Sequence, residues 1–100
     1  MDERPMITTH VLDTSTGKPA KGIAVILEGP TQGKGVTNAD GRAQLGEAVP
    51  GRYRLTFEVA SYFPDGFYPS VTIDFQIREA KHHHVPLLLS PFGYSTYRGS

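Results

Sequence analysis

From Arg52 onward apolar and polar side chains alternate, with Tyr53, Leu55, Phe57 and Val59 on one face and Arg52, Arg54, Thr56 and Glu58 on the other. Successive side chains on a strand point to opposite faces, so a run of period two describes extended chain with one face in a core. The same pattern returns at Val71, Ile73, Phe75 and Ile77 against Thr72, Asp74, Gln76 and Arg78. Two such segments commit the chain to sheets that are dry on one side and wet on the other.

The remaining segments are short and divided by turn formers, for the 11 Gly and 8 Pro are spread along the chain rather than gathered in a linker. Met6 to Asp13 reads as a strand ended by the cluster Thr14-Ser15-Thr16-Gly17-Lys18-Pro19. Ile23, Val25 and Leu27 alternate with Ala24, Ile26 and Glu28 in a second strand, which Gly29-Pro30 stops. Gly35-Val36-Thr37 and Arg42-Ala43-Gln44-Leu45 read as a hairpin about Asn38-Ala39-Asp40-Gly41, with Gly41 supplying a positive φ. Glu58 to Phe63 is the one stretch suited to a helical turn or two, closed by Pro64-Asp65-Gly66. His82 to Leu89 and Gly93 to Tyr97 supply the last strands. About eight short strands, with no helix long enough for a crossover, predict an all-β antiparallel sandwich or barrel. At 100 residues the chain is expected to form one domain over 1–100, with no room for a second core.

Charge and composition narrow the function. Ten basic residues balance ten acidic ones, which speaks against a nucleic-acid partner. The absence of cysteine removes disulfides, thiolate metal sites and cysteine nucleophiles, and without Cys or Trp an immunoglobulin-type sandwich is disfavoured. The longest apolar run, Val85-Pro86-Leu87-Leu88-Leu89, falls far short of the ~20 residues of a membrane-spanning helix, so no membrane association is expected. The polar start Met1-Asp2-Glu3-Arg4-Pro5 and an end unlike a peroxisomal tripeptide point to the cytoplasm.

The residues able to carry chemistry are few. On a strand His82 and His84 share a face with Pro86 and Leu88, while His83 joins Val85, Leu87 and Leu89. The plain reading is a solvated strand end. A sharper one lets His10, His82 and His84 bind zinc, although the sequence offers no evident partner to fix their tautomers. Another makes His84 or His10 a general base, since an imidazole of ordinary pKa near ~6.5 is a free base at neutral pH. Arg42, after the Asn38–Gly41 turn, is either a solvated charge or a planar fork that grips a carbonyl or urea-like group. The ordered-looking end Tyr94-Ser95-Thr96-Tyr97-Arg98-Gly99-Ser100 would hold Tyr97, Arg98 and the Ser100 hydroxyl or carboxylate at a fixed place. There is no phosphate loop, nucleophile elbow or adjacent carboxylate pair.

Thr9-His10-Val11-Leu12-Asp13, Gly17-Lys18-Pro19-Ala20, Thr37-Asn38-Ala39-Asp40-Gly41-Arg42 and the run from His82 to Ser100 together resemble the 5-hydroxyisourate hydrolases, the transthyretin-related enzymes of purine breakdown. The terminal Tyr97-Arg98-Gly99-Ser100 is the most specific of these, because it separates the hydrolases from hormone-carrying transthyretins. The resemblance implies a transthyretin-like (prealbumin-like) sandwich of two four-stranded sheets with one short helix. It implies a homotetramer, a dimer of dimers, with active sites in a channel between dimers. It implies a cofactor-free hydrolysis, with no metal, of 5-hydroxyisourate to 2-oxo-4-hydroxy-4-carboxy-5-ureidoimidazoline. Carried over by motif, His10, Arg42, His84 and Ser100 line the site, and Tyr97 and Arg98 contact substrate. His84 is taken as the base, with His10 left open, and Arg42 as the stabiliser of charge on the carbonyl oxygen. A transthyretin-like small-ligand carrier without activity is the alternative.

Overall fold

The computed structural model describes residues 4–99. One sheet contains β1 (Met6–Asp13), which pairs with β8 (His83–Ser90), and β8 pairs in turn with β9 (Gly93–Thr96). The other side of β1 is shared by β5 (Arg42–Glu47) and the two-residue β2 (Lys18–Pro19). The second sheet runs β4 (Gly33–Val36), β3 (Ala24–Glu28), β6 (Gly51–Glu58) and β7 (Val71–Ile77). The two inner faces meet in one core, where Ile7 and Val11 of β1 and Leu87 and Leu89 of β8 join Val25, Leu27, Leu55, Phe57 and Val71 of the opposite sheet.

Alternation orders every long strand. In β1 Ile7, Thr9, Val11 and Asp13 are buried and Met6, Thr8, His10 and Leu12 are partly covered. The two polar members of the inner row are satisfied, as burial demands. Thr9 Oγ1 donates to the Val85 carbonyl at 2.6 Å, and Asp13 accepts from Ser15 N–H at 2.9 Å and from Tyr62 O–H at 2.8 Å. Burial by itself would raise the Asp13 pKa, but the hydrogen bonds from Ser15, Tyr62 and Thr16 prevail and hold it below the usual carboxylate value.

Four expectations change. The hairpin about Asn38–Gly41 is instead a crossing between sheets, because β4 pairs with β3 and β5 pairs with β1. The turn closes with Asn38 N–H on the Arg42 carbonyl, but the groups beyond that rung pair elsewhere. Val11 N–H donates to the Gly41 carbonyl at 2.8 Å, and Thr37 Oγ1 donates to the Ala20 carbonyl at 2.7 Å while accepting from Ile23 N–H at 2.9 Å. Gly41 does adopt φ +74°, and a Cβ there would come within 2.5 Å of the Val11 carbonyl oxygen. The strands number nine rather than eight among the described residues, since Lys18–Pro19 folds back on Leu12 and Asp13. The first sheet is not wholly antiparallel, for β1 and β8 run parallel from Ile7↔His83 to Asp13↔Leu89. A parallel pair needs a long connection, and here the whole second sheet supplies it in place of a helix. The helix over Glu58–Phe63 reduces to one 3₁₀ turn at Val59–Ser61, whose Val59 side chain is already buried as the end of the β6 apolar row. Among the described residues no helix is long and apolar enough to cross a membrane.

Candidate active site

The outer face of the five-stranded sheet carries the polar residues the core excluded. Register sets them in rows: Thr8 lies between Gln44 of β5 and His84 of β8, and His10 lies between Arg42 and Pro86. The next row is apolar, with Leu12 beside Leu88. Thr8, Asn38, Arg42, Gln44, His82 and His84 line a cavity of about 440 Å³ at the polar end of this face.

Thr8 organises the histidines. Its Oγ1 is 2.8 Å from His84 Nδ1 and 3.1 Å from His82 Nε2, so one hydroxyl touches both rings. A β-branched side chain on a strand has few rotamers, which fixes that hydroxyl against its neighbours. His84 is held below the ordinary histidine pKa, first by partial burial and then by the electrostatic influence of Arg42, His10 and His82. It is therefore a neutral imidazole at pH 7. His83 turns away, with Nδ1–H donating to the Lys81 carbonyl at 2.7 Å.

Arg42 is placed by its backbone. Asn38 Oδ1 accepts from Asp40 N–H at 2.9 Å and from Arg42 N–H at 3.0 Å, and Asn38 N–H donates to the Arg42 carbonyl at 3.0 Å. The Asn side chain thus closes the turn and delivers Arg42 at the first position of β5, a common use of Asn in turns. The exposed guanidinium makes no ion pair with a carboxylate among the described residues, leaving its fork free for an incoming oxygen.

The carboxyl end runs on beside β8. Thr96 Oγ1 donates to the Pro86 carbonyl at 2.7 Å, and Gly99 N–H donates to the His84 carbonyl at 2.8 Å. Gly99 lies so close to the imidazole that a Cβ there would stand 2.7 Å from His84 Cδ2. Ser100 lies outside the described residues.

The residues singled out from sequence divide between two hollows. Arg42 and His84 share the first cavity, and His10 stands beside Arg42 in register and acts on the charge of His84 without lining it. Tyr97 and Arg98 line a second cleft of about 270 Å³ with Ile73, Phe75 and His83, and His84 borders this one as well. His84 is thus the residue common to both. No three His, Asp or Glu side chains among the described residues gather to hold a metal ion, so the zinc reading on His10, His82 and His84 lacks its geometry. Thr8, Asn38 and Gln44 were not anticipated as parts of the site. A Thr two residues before a strand histidine could have been found by the period-two rule, which puts Thr8 and His10 on one face.

Comparison with known proteins shows which family the chain resembles. The model of the HIUase/Transthyretin family matches residues 7–99. The 5-hydroxyisourate hydrolase of Mesorhizobium japonicum is 47% identical over 113 residues, covering 94% of this chain and 91% of that protein. The Arabidopsis thaliana uric acid degradation bifunctional protein TTL is 46% identical over 122 residues, 97% of this chain but only 38% of that longer protein. A solved structure, Klebsiella pneumoniae 5-hydroxyisourate hydrolase, superposes with a TM-score of 0.85 at 41% identity over 96% of this chain and 99% of that one. With a nearly full-length family match and a shared two-sheet fold, the chain belongs to the HIUase/Transthyretin family.

Proposed function

We propose that this protein hydrolyses 5-hydroxyisourate in urate degradation, opening its six-membered ring to 2-oxo-4-hydroxy-4-carboxy-5-ureidoimidazoline. The observation that carries the reading is the convergence on one cavity of an imidazole with a lowered pKa, His84, and a guanidinium, Arg42, that has no carboxylate partner among the described residues. Two such groups can carry out cyclic-amide hydrolysis. A free imidazole takes a proton from water as its oxygen attacks the ring carbonyl, and the guanidinium donates to the oxygen on which negative charge grows. Collapse of the adduct breaks the ring C–N bond, and the protonated imidazole returns a proton to the departing nitrogen. The new acid then ionises, so each turnover releases one proton.

His84 is favoured over His10 as the base because it lines the cavity and is held in its basic form. His10, in register with Arg42, orients substrate or the guanidinium. Tyr97 and Arg98 reach substrate from the second cleft. The protein works as a homotetramer built as a dimer of dimers. The support is surface that a monomer would leave bare: the edge strands β7 and β9, the exposed Phe67, Tyr68 and Tyr94, and the half-covered Leu12 and Leu88.

The test generates 5-hydroxyisourate from urate with urate oxidase and follows its ultraviolet decay with and without this protein. Accelerated decay is expected. Decay at the spontaneous rate in the presence of folded protein would refute the assignment. Sedimentation should show a tetramer, and a stable monomer at micromolar concentration would refute the assembly.

A further inference from the structure

We propose that Thr8 and His82 form, with His84, a relay that shifts the positive charge of the working base from His84 to exposed His82 and back within one turnover, and that the Thr8 hydroxyl sets the tautomer of His84. This rests on the hydrolase reading above. Its basis is the pair of contacts at one hydroxyl, 2.8 Å to His84 Nδ1 and 3.1 Å to His82 Nε2, together with the gradient of exposure from half-buried His84 to exposed His82.

A threonine hydroxyl has one hydrogen to donate and lone pairs with which to accept. With Nδ1 of His84 held by Thr8, the nitrogen left for water is Nε2. For Nε2 to be basic, Nδ1 must carry the hydrogen and donate it to Thr8 Oγ1. Thr8 then donates its own hydrogen to His82 Nε2, which needs that nitrogen unprotonated and the His82 hydrogen on Nδ1. All three groups are satisfied in this one direction.

The relay serves the proton that His84 takes from water and returns to the leaving nitrogen. As Nε2 takes that proton, with the O–H electron pair becoming the new C–O bond, the Nδ1 hydrogen passes to the Thr8 oxygen and the Thr8 hydrogen passes to His82 Nε2, so the positive charge rests on His82. As Nε2 gives its proton to the leaving nitrogen the chain runs back, and all three groups recover their starting hydrogens. The proton of the carboxylic acid formed by ring opening goes directly to water. Partial burial, and then the electrostatic effect of Arg42 from β5 and His10 from β1, disfavour leaving the charge on His84. Thr8 is a positioning residue, since it acts through His84.

The experiment measures ¹⁵N shifts of the histidine rings in the substrate-free protein, and kcat and KM, for wild type, Thr8→Val, Thr8→Ser and His82→Phe. Wild-type His84 should be the Nδ1–H tautomer, and Thr8→Val should convert it to a mixture. Thr8→Val should lower kcat about tenfold with KM little changed, and Thr8→Ser should restore it to within about twofold. His82→Phe replaces an exposed side chain and so spares the fold. It should lower kcat severalfold with KM little changed. Wild-type His84 found as Nε2–H, or wild-type kcat in both Thr8→Val and His82→Phe, would overturn the relay while leaving the hydrolase reading standing. A wild type without hydrolase activity would overturn both.

Discussion

On the four-stranded sheet, the outward residues Arg52, Arg54, Thr72, Asp74 and Gln76 of β6 and β7 are exposed, and Arg54 Nε meets Asp74 Oδ1 at 3.1 Å in open water. On the five-stranded sheet the outward residues of β1 and β8 include Thr8, His10, Leu12, His84 and Leu88, all half-buried. Both faces come from the same alternation, yet on the second partial burial, reinforced by Arg42 and the neighbouring histidines, holds His84 below the ordinary histidine pKa. An ion pair bathed in water adds little to stability or to reactivity. A cluster shielded by neighbouring strands shifts proton affinity, which is what a catalytic base requires.

The largest expected effect falls on the shielded face. Arg42→Ala should cut kcat for 5-hydroxyisourate by about 10²–10³-fold, the scale on which loss of an oxyanion donor is felt. Its pH profile sharpens the point. With His84 held low, the acid limb of kcat/KM in wild type should fall below the ordinary histidine value, and Arg42→Ala, which removes a repelling charge, should move that limb upward. An unmoved limb would separate His84 from the reaction.

Gly99→Ala comes next. Its methyl group would sit 2.7 Å from His84 Cδ2, so the ring must shift, and kcat should drop about tenfold with the fold retained. Wild-type activity in this variant would show that the approach of the carboxyl end to His84 has no catalytic consequence.

Smaller changes concern stability. Between the lowered His84 pKa and its unfolded value, the unfolded chain binds more protons than the folded one, so stability rises with pH through that window and levels off above it. His84→Gln should flatten that slope in chemical denaturation between the two pH limits. Asp13 works at lower pH: its folded pKa is depressed, so its contribution is complete above the ordinary carboxylate value and is lost as pH falls through the folded one. The smallest effect belongs to the open face. Arg54→Ala should leave both kcat and the denaturation midpoint close to wild type, and a loss of activity there would erase the distinction between the two sheets.

Much of this was legible in the chain. Period-two runs such as Tyr53 to Val59 identify inward residues directly, because burial and strand geometry act on adjacent positions. The partner of a strand is another matter. β1 lies parallel to β8 from the far end of the chain, and β4 and β5 part to different sheets around a turn that locally resembles a hairpin. Local turn chemistry at Asn38 and Gly41 is the same in either case, and the deciding contacts, Val11 to Gly41 and Thr37 to Ala20 and Ile23, are distant in sequence. The site shows the same limit. His84 and Arg42 stand out by residue type, whereas Thr8 acquires its role only when parallel register brings it beside His84.

The most direct measurement compares kcat/KM for 5-hydroxyisourate in wild type and His84→Ala, with assembly and folding checked by sedimentation and circular dichroism. A loss of about 10²-fold or more in a folded protein is the expected result for removal of a general base. A value within twofold of wild type would contradict the placement of the reaction on the outer face of the five-stranded sheet.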